Sequence, residues 1–236
     1  MNLVEQRDTD LLTLDIVKNE LSQSPGINFV VSGSYAIEAL TGTAIEHNDM
    51  DTNVFADKLT QAMIIAPALL SKHQPDKMGF LLHKQTDDRL EYDVRRTSQS
   101  SSHTRRLEIH LVEATKVGMN VFNLNDERKN KISQVTLVEA EMKDSNGKVY
   151  LFQVKSLAYS LATWALRISD MATSQIRSVR DSDLEYFSLL LKQGATLSDV
   201  IYAMRLHPQM PDRVDPENIY KSALANLEKK AGKRLK

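Results

Sequence analysis

Two carboxylates one residue apart, Asp49 and Asp51, follow a Gly33-Ser34 step within FVVSGSYAIEALTGTAIEHNDMDTNVF, residues 29 to 55. Acids at alternate positions of a strand share a face, so reading Met50 to Phe55 as a strand brings two hard oxygen donors together. Left alone such a pair repels, whereas Mg2+ accepts one or two carboxylates together with phosphate oxygens and water. A Gly-Ser step that opens a helix supplies the complement, because free backbone N–H groups and the positive end of the helix dipole favour an anion. Taken singly, Asp49 also reads as a turn residue after His47-Asn48 and Asp51 as a solvated strand position.

The elements that would position these groups are legible nearby. Phe29 to Val31 is a β-branched and aromatic run, expected as a short buried strand ending at Ser32-Gly33. Ser34 is expected to cap a helix that runs through Tyr35 to Leu40 and stops at Gly42. Arg106-Leu-Glu-Ile-His-Leu111 alternates, so that Leu107, Ile109 and Leu111 face a core while Glu108 and His110 point the other way.

A Gly-Ser helix start, an Asp-x-Asp strand and a later acid-bearing strand, in that order, resemble the nucleotidyltransferase superfamily that includes DNA polymerase beta. The likeness is nearest to small bacterial antibiotic nucleotidyltransferases of the lincosamide type and to abortive-infection nucleotidyltransferase toxins, in which an acid-x-His strand precedes a hairpin and a helical half. The resemblance implies Mg2+ held by Asp49, Asp51 and Glu108, which are also the catalytic residues. It implies that Gly33 and Ser34 seat the phosphates of ATP or another NTP. The reaction implied is transfer of a nucleoside monophosphate, AMP above all, to an acceptor hydroxyl on a small molecule, tRNA or protein, with release of pyrophosphate. The chain departs from the pattern in two places: Ala44, Ile45 and Glu46 stand where relatives often place an arginine, and Trp164 stands where a basic residue is expected. Lys155 and Arg177 are candidate substitutes. These departures keep a second reading open, a non-catalytic nucleotide- or partner-binding relative of the same fold.

A third reading comes from the hairpin expected over Gln134 to Val154, with Asn146-Gly147 as a type I′ turn. Glu141-Met-Lys143 has the acid-x-Lys spacing of metal-dependent nucleases, although no upstream Asp on an adjacent strand completes the set. Its plainer reading is a solvated strand face. The serine-rich stretch at 97 to 104, flanked by Arg95-Arg96 and Arg105-Arg106, is either a phosphate-gripping loop or a solvated tip.

The remaining pattern places these features in an α+β chain: an N-terminal nucleotidyltransferase-like mixed sheet with flanking helices over 1–155, then a C-terminal helical bundle over 156–236. Helices are expected at Asp10 to Gln23 and Asp57 to Lys72, and strands at Gly79 to Lys84, Leu90 to Arg95 and Arg106 to Val112. From Ser156 onward, stripes such as Leu157, Leu161, Trp164 and Ile168 give only helical periods. The 236 residues carry a net charge of -1 with 42% hydrophobic content, which describes an ordinary globular chain. With no cysteine, disulfides, thiolate metal sites and cysteine nucleophiles are excluded. The longest apolar stretch, Ala62 to Leu70, is broken by Pro67, and MNLVEQRDTDLL is too acidic for a secretory signal, so a cytoplasmic protein without a membrane span is expected.

Overall fold

The computed structural model describes residues 3–58, 62, 66–68, 70, 78–96, 104–125, 133–169 and 179–234. In chain order these form α1 (Leu3–Leu21), β1 (Ile27–Val31), α2 (Gly33–Thr41), β2 (Met50–Ala56), β3 (Met78–Gln85), β4 (Arg89–Arg96), β5 (Arg105–Lys116), β6 (Val121–Leu124), β7 (Ser133–Lys143), β8 (Val149–Lys155), α3 (Leu157–Ile168), α4 (Asp181–Leu191), α5 (Leu197–Arg205) and α6 (Pro216–Arg234). The architecture is a mixed sheet with flanking helices followed by a C-terminal helical bundle. Contacts divide the chain into two compact units, Met1–Lys116 with Val138–Val154, and Val117–Leu137 with Lys155–Lys236.

In the first unit the strand order is β3-β4-β5-β2-β1-β8-β7. The central pair, β2 with β5, is parallel, and the register places Asp51 opposite Glu108. β4 runs antiparallel to β5 and sets Glu91 opposite Glu108, while β1 joins β2 antiparallel and β8 parallel. Leu90, Tyr92, Leu107, Ile109 and Leu111 are buried in one cluster with Leu11, Leu14, Val17 and Leu21, the apolar stripe of α1. Each fully buried aliphatic side chain of this kind contributes roughly 1.5–3 kcal/mol. Period-2 alternation then leaves the opposite face of β2, β4 and β5 to Asp51, Glu91, Glu108 and His110.

The boundaries of α2 show local chemistry at work. Gly42 adopts φ 66 and its N–H donates to the Glu38 carbonyl at 2.8 Å, a left-handed stop as its position predicted. At the other end the cap position belongs to Ser32, not Ser34, and Ser32 makes no side-chain cap bond. The Ser34 hydroxyl instead bonds to His47 Nδ1 at 2.7 Å, and the Ser32 hydroxyl accepts from Asn53 Nδ2 at 2.8 Å.

The β7–β8 hairpin forms, but its turn is not the expected type I′ over Asn146-Gly147. Gly147 N donates to the Asp144 carbonyl at 3.0 Å, so Ser145 and Asn146 are the central residues and Gly147 follows at φ 81. The Asp144 carboxylate accepts from the N–H groups of Asn146 and Lys148, both at 2.9 Å, which anchors the turn one residue early.

In the second unit β6 pairs antiparallel with the start of β7, and α3 packs against α4, α5 and α6. Ser156 caps α3 by accepting from Tyr159 N, and Thr196 caps α5 by accepting from Asp199 N. Leu161, Trp164, Ile168, Phe187, Met204 and Ile219 are buried there. β6, only four residues long, carries too little alternation to have been expected. Of the helix expected at 57–72, residues 62, 66–68 and 70 are helical and Asp57 and Lys58 are not; the rest of that span lies outside the described residues. Residues 97–103 of the serine-rich loop, and Arg177, lie outside the described residues. Among the described residues no helix is long and apolar enough to cross a membrane.

Candidate functional site

The acids meet because β2 and β5 are paired in parallel. Asp51 and Glu108 face one another, Thr52 Oγ1 donates to the Glu108 carbonyl at 2.9 Å, and His110 follows two residues along β5. Asp51, Glu108 and His110 offer ligand atoms that all lie within 4.8 Å of one another. Two carboxylates, which are hard donors preferred by Mg2+, and an imidazole, a softer nitrogen donor, suit a divalent cation. Glu108 Oε2 also forms an ion pair with Arg89 Nη2 at 2.6 Å, a partner that sequence spacing could not reveal.

Gly33 shows how closely the start of α2 approaches this cluster. Its φ is 61, and a Cβ built there would stand 2.2 Å from Asp51 Oδ2 and 2.8 Å from Asp51 Cβ. Only glycine allows that backbone to lie against the acid. Ser32 N donates to the Asp51 carbonyl at 2.9 Å, so helix start and strand are tied on the same side. The first-turn N–H groups of a helix lack intrahelical acceptors, and here they sit beside the carboxylates that would hold a cation.

Behind the site runs a buried polar network that sequence reasoning missed. His47 stacks on Tyr35 with ring centroids 3.5 Å apart, and its Nε2 lies 2.7 Å from Glu38 Oε2. A carboxylate only accepts, so Nε2 carries the hydrogen, and in the neutral ring Nδ1 accepts from the Ser34 hydroxyl. Burial pushes the Glu38 carboxyl up, but bonds from His47 and Arg7 outweigh burial and hold it below its ordinary range. Tyr35 donates to the fully buried Asp10 at 2.7 Å, and Arg105 Nη2 reaches the same Asp10 oxygen at 2.6 Å. Burial and the Asp10 charge push the Tyr35 hydroxyl far above its ordinary range. Arg105 also donates to the carbonyls of His47 and Asn48, at 3.0 and 2.8 Å, and so fixes the chain that enters Asp49 and Asp51. The signal for this network was faint: an acid on the apolar face of α1 and an arginine at the start of β5.

The structure places the other candidates as follows. Asp49 precedes β2 and is outside the Asp51, Glu108 and His110 cluster; with Asn48, Asp93, Thr104 and Arg106 it lines a cavity of about 340 Å3. Gly33 meets Asp51, while Ser34 is buried on His47. Glu141 and Lys143 are exposed on either side of buried Met142, and Glu141 does not belong to the described cluster of metal-competent groups. In the second unit Trp164 is buried, with the Arg167 guanidinium 4.6 Å over its ring. Lys155 closes β8, and burial pushes its ammonium down to about 8.

No protein-family model matches the chain, and no curated protein matches it. Solved structures do. An antigenic nucleotidyltransferase-like protein from Paracoccidioides brasiliensis matches over 96% of this chain and 90% of that one, at TM-score 0.52 and 13% identity. JHP933 from Helicobacter pylori matches over 98% and 97%, at TM-score 0.50 and 16% identity. A match to Cid1, described as having RNA terminal uridylyl transferase activity, covers 45% of this chain and only 30% of that one, at TM-score 0.34 and 16% identity. The fold is nucleotidyltransferase-like.

Proposed function

We propose that this protein is a Mg2+-dependent nucleotidyltransferase that moves a nucleoside monophosphate, AMP in the first instance, from an NTP to an acceptor hydroxyl. The observation that carries the reading is the Asp51–Glu108 pair on parallel strands with the Gly33 backbone pressed against Asp51. Asp51 and Glu108 would hold the cation, with Asp49 entering from the residue before β2 and His110 beside them. Held by these residues, Mg2+ would supply charge neutralisation for the triphosphate as it is attacked. Gly33 and the first-turn N–H groups of α2 seat the phosphates. Glu108 takes the proton of the acceptor hydroxyl as that oxygen bonds to the α-phosphorus and the bond to pyrophosphate breaks. Small-molecule, tRNA and protein acceptors all satisfy this chemistry.

The test is transfer of label from α-32P-labelled NTPs, with pyrophosphate detection, across small-molecule, tRNA and protein acceptors. Asp51→Asn and Glu108→Gln should each lose about 100-fold or more, the scale expected when positioned charge is removed. Undiminished transfer by the double variant would overturn the assignment.

A second reading has support of its own: the Arg89 bond to Glu108 and the commitment of Ser34 to His47 suit a domain that binds nucleotide without turnover. Calorimetric binding of ATP with Mg2+, without pyrophosphate from any acceptor class, is its expected signature.

A further inference from the structure

Three carboxylates form a row across adjacent strands: Asp51 faces Glu108, and Glu108 faces Glu91. Glu91 is only 5% exposed. One guanidinium serves two of the three. Arg89 Nη2 lies 2.6 Å from Glu108 Oε2 and 3.2 Å from Glu91 Oε1, while Arg89 Nε is buried without a hydrogen-bond partner. This differs from the two-nitrogen fork by which arginine locks onto a single carboxylate. Nη2 is the nitrogen nearest to both acids and Nε is unspent, so one guanidinium is shared between the two carboxylates. Lys84 Nζ, on the neighbouring β3, stands 3.6 Å from Glu91 Oε1, and His110 Nε2 stands 3.8 Å from Glu108 Oε2.

We propose that Arg89 competes with the divalent cation for the Glu108 carboxylate, and that Glu91 is the acceptor that draws the guanidinium aside, so that the pair sets the cation affinity of the site. This rests on the nucleotidyl-transfer reading of Asp51 and Glu108 and deepens it. A fixed positive charge on one ligand oxygen opposes a second cation there, whereas a nearby alternative acid lowers the cost of releasing that oxygen. Arg89 is thus a positioning residue: it acts through Glu108.

The experiment titrates Mn2+ alone into the full chain and follows free Mn2+ by electron paramagnetic resonance, with a thermal melt to confirm folding of each variant. Arg89→Gln should bind Mn2+ about tenfold more tightly, and Arg89→Lys more tightly by a smaller factor, as expected for loss or retreat of one charge a few ångströms away. Glu91→Gln should bind about threefold or more weakly. In Arg89→Gln/Glu91→Gln the weakening due to Glu91 should vanish, because Glu91 acts by drawing off an arginine that is gone. A purely structural role for Arg89 predicts weaker binding in every variant, and a simple through-space effect of Glu91 predicts that its weakening persists in the double variant; either result overturns the proposal. If Arg89→Gln does not fold, Arg89→Lys decides on the same criterion. Asp51→Asn separates the two levels: unchanged Mn2+ affinity there overturns the metal-site reading itself, whereas loss there with no gain in the Arg89 variants overturns only the role of Arg89.

Discussion

Gly33 and Gly42 share nearly the same backbone angle, φ 61 and φ 66, yet their surroundings differ completely: a Cβ at Gly33 would strike Asp51, and one at Gly42 would meet nothing within 4 Å. Gly42→Ala should therefore cost only about 1 kcal/mol, measured by urea unfolding, and leave Mn2+ affinity unchanged. Gly33→Ala should cost more, about 2–4 kcal/mol, and weaken Mn2+ binding, since relief of the clash must displace Asp51. Equal effects from the two substitutions would show that Gly33 serves the turn and not the site. Glu38 provides a pH signature. Its folded carboxyl lies below the ordinary value of 4.5, so the stability it supplies is fully present above about pH 4.5 and is lost as pH falls through the folded value. Melting temperatures of the wild type and Glu38→Gln should differ most near neutrality and converge as pH falls below about 4.5. None of this second layer was legible in the sequence, because its bonds span 25 positions from Tyr35 to Asp10 and 95 from Arg105 to Asp10. Periodicity shows which face a residue occupies, not which distant element brings a partner. Ser34 illustrates the point: next to a glycine at a helix start it reads as a phosphate ligand, and only the fold shows its hydroxyl held by His47.

At the scale of elements, the strands and helix that carry the candidate site were mostly legible, because alternation and turn chemistry are local. The strand bearing Asp51, the strand bearing Glu108 with Leu107 and Ile109 inward, and the stop at Gly42 all follow from short-range rules. Where local rules conflicted, the outcome went to the group with more bonds. At the β7–β8 turn the Asn-Gly preference for type I′ lost to the Asp144 carboxylate, which satisfies two backbone donors. Asp144→Ala should therefore destabilise the protein by about 1–2 kcal/mol in urea unfolding, the usual cost of leaving such donors without their acceptor. A loss below about 0.3 kcal/mol would mean that the glycine alone sets the turn.

For the whole molecule, the two units interleave along the chain, since Val117–Leu137 clusters with the helices of the second unit and not with the strands that precede it. Phe122, Val135 and Leu137 are buried in that segment, and Gln134 N donates to the Leu206 carbonyl at 3.0 Å. A fragment ending at residue 155 would keep these apolar side chains without α3 to α6. It should bind a hydrophobic dye and self-associate on size exclusion; a monodisperse, dye-silent fragment with a cooperative melt would contradict this. The parallel pairing of β2 with β5 has one more consequence, in time. β3 and β4 are joined by a short turn and close quickly, but parallel strands cannot be joined by a tight hairpin, and the bond from Thr52 to the Glu108 carbonyl spans 56 positions. Loop-closure entropy thus places the meeting of the two acids late in folding. During refolding the β3–β4 hairpin should form before the chain acquires its first affinity for Mn2+, so the site comes together after the local turn beside it.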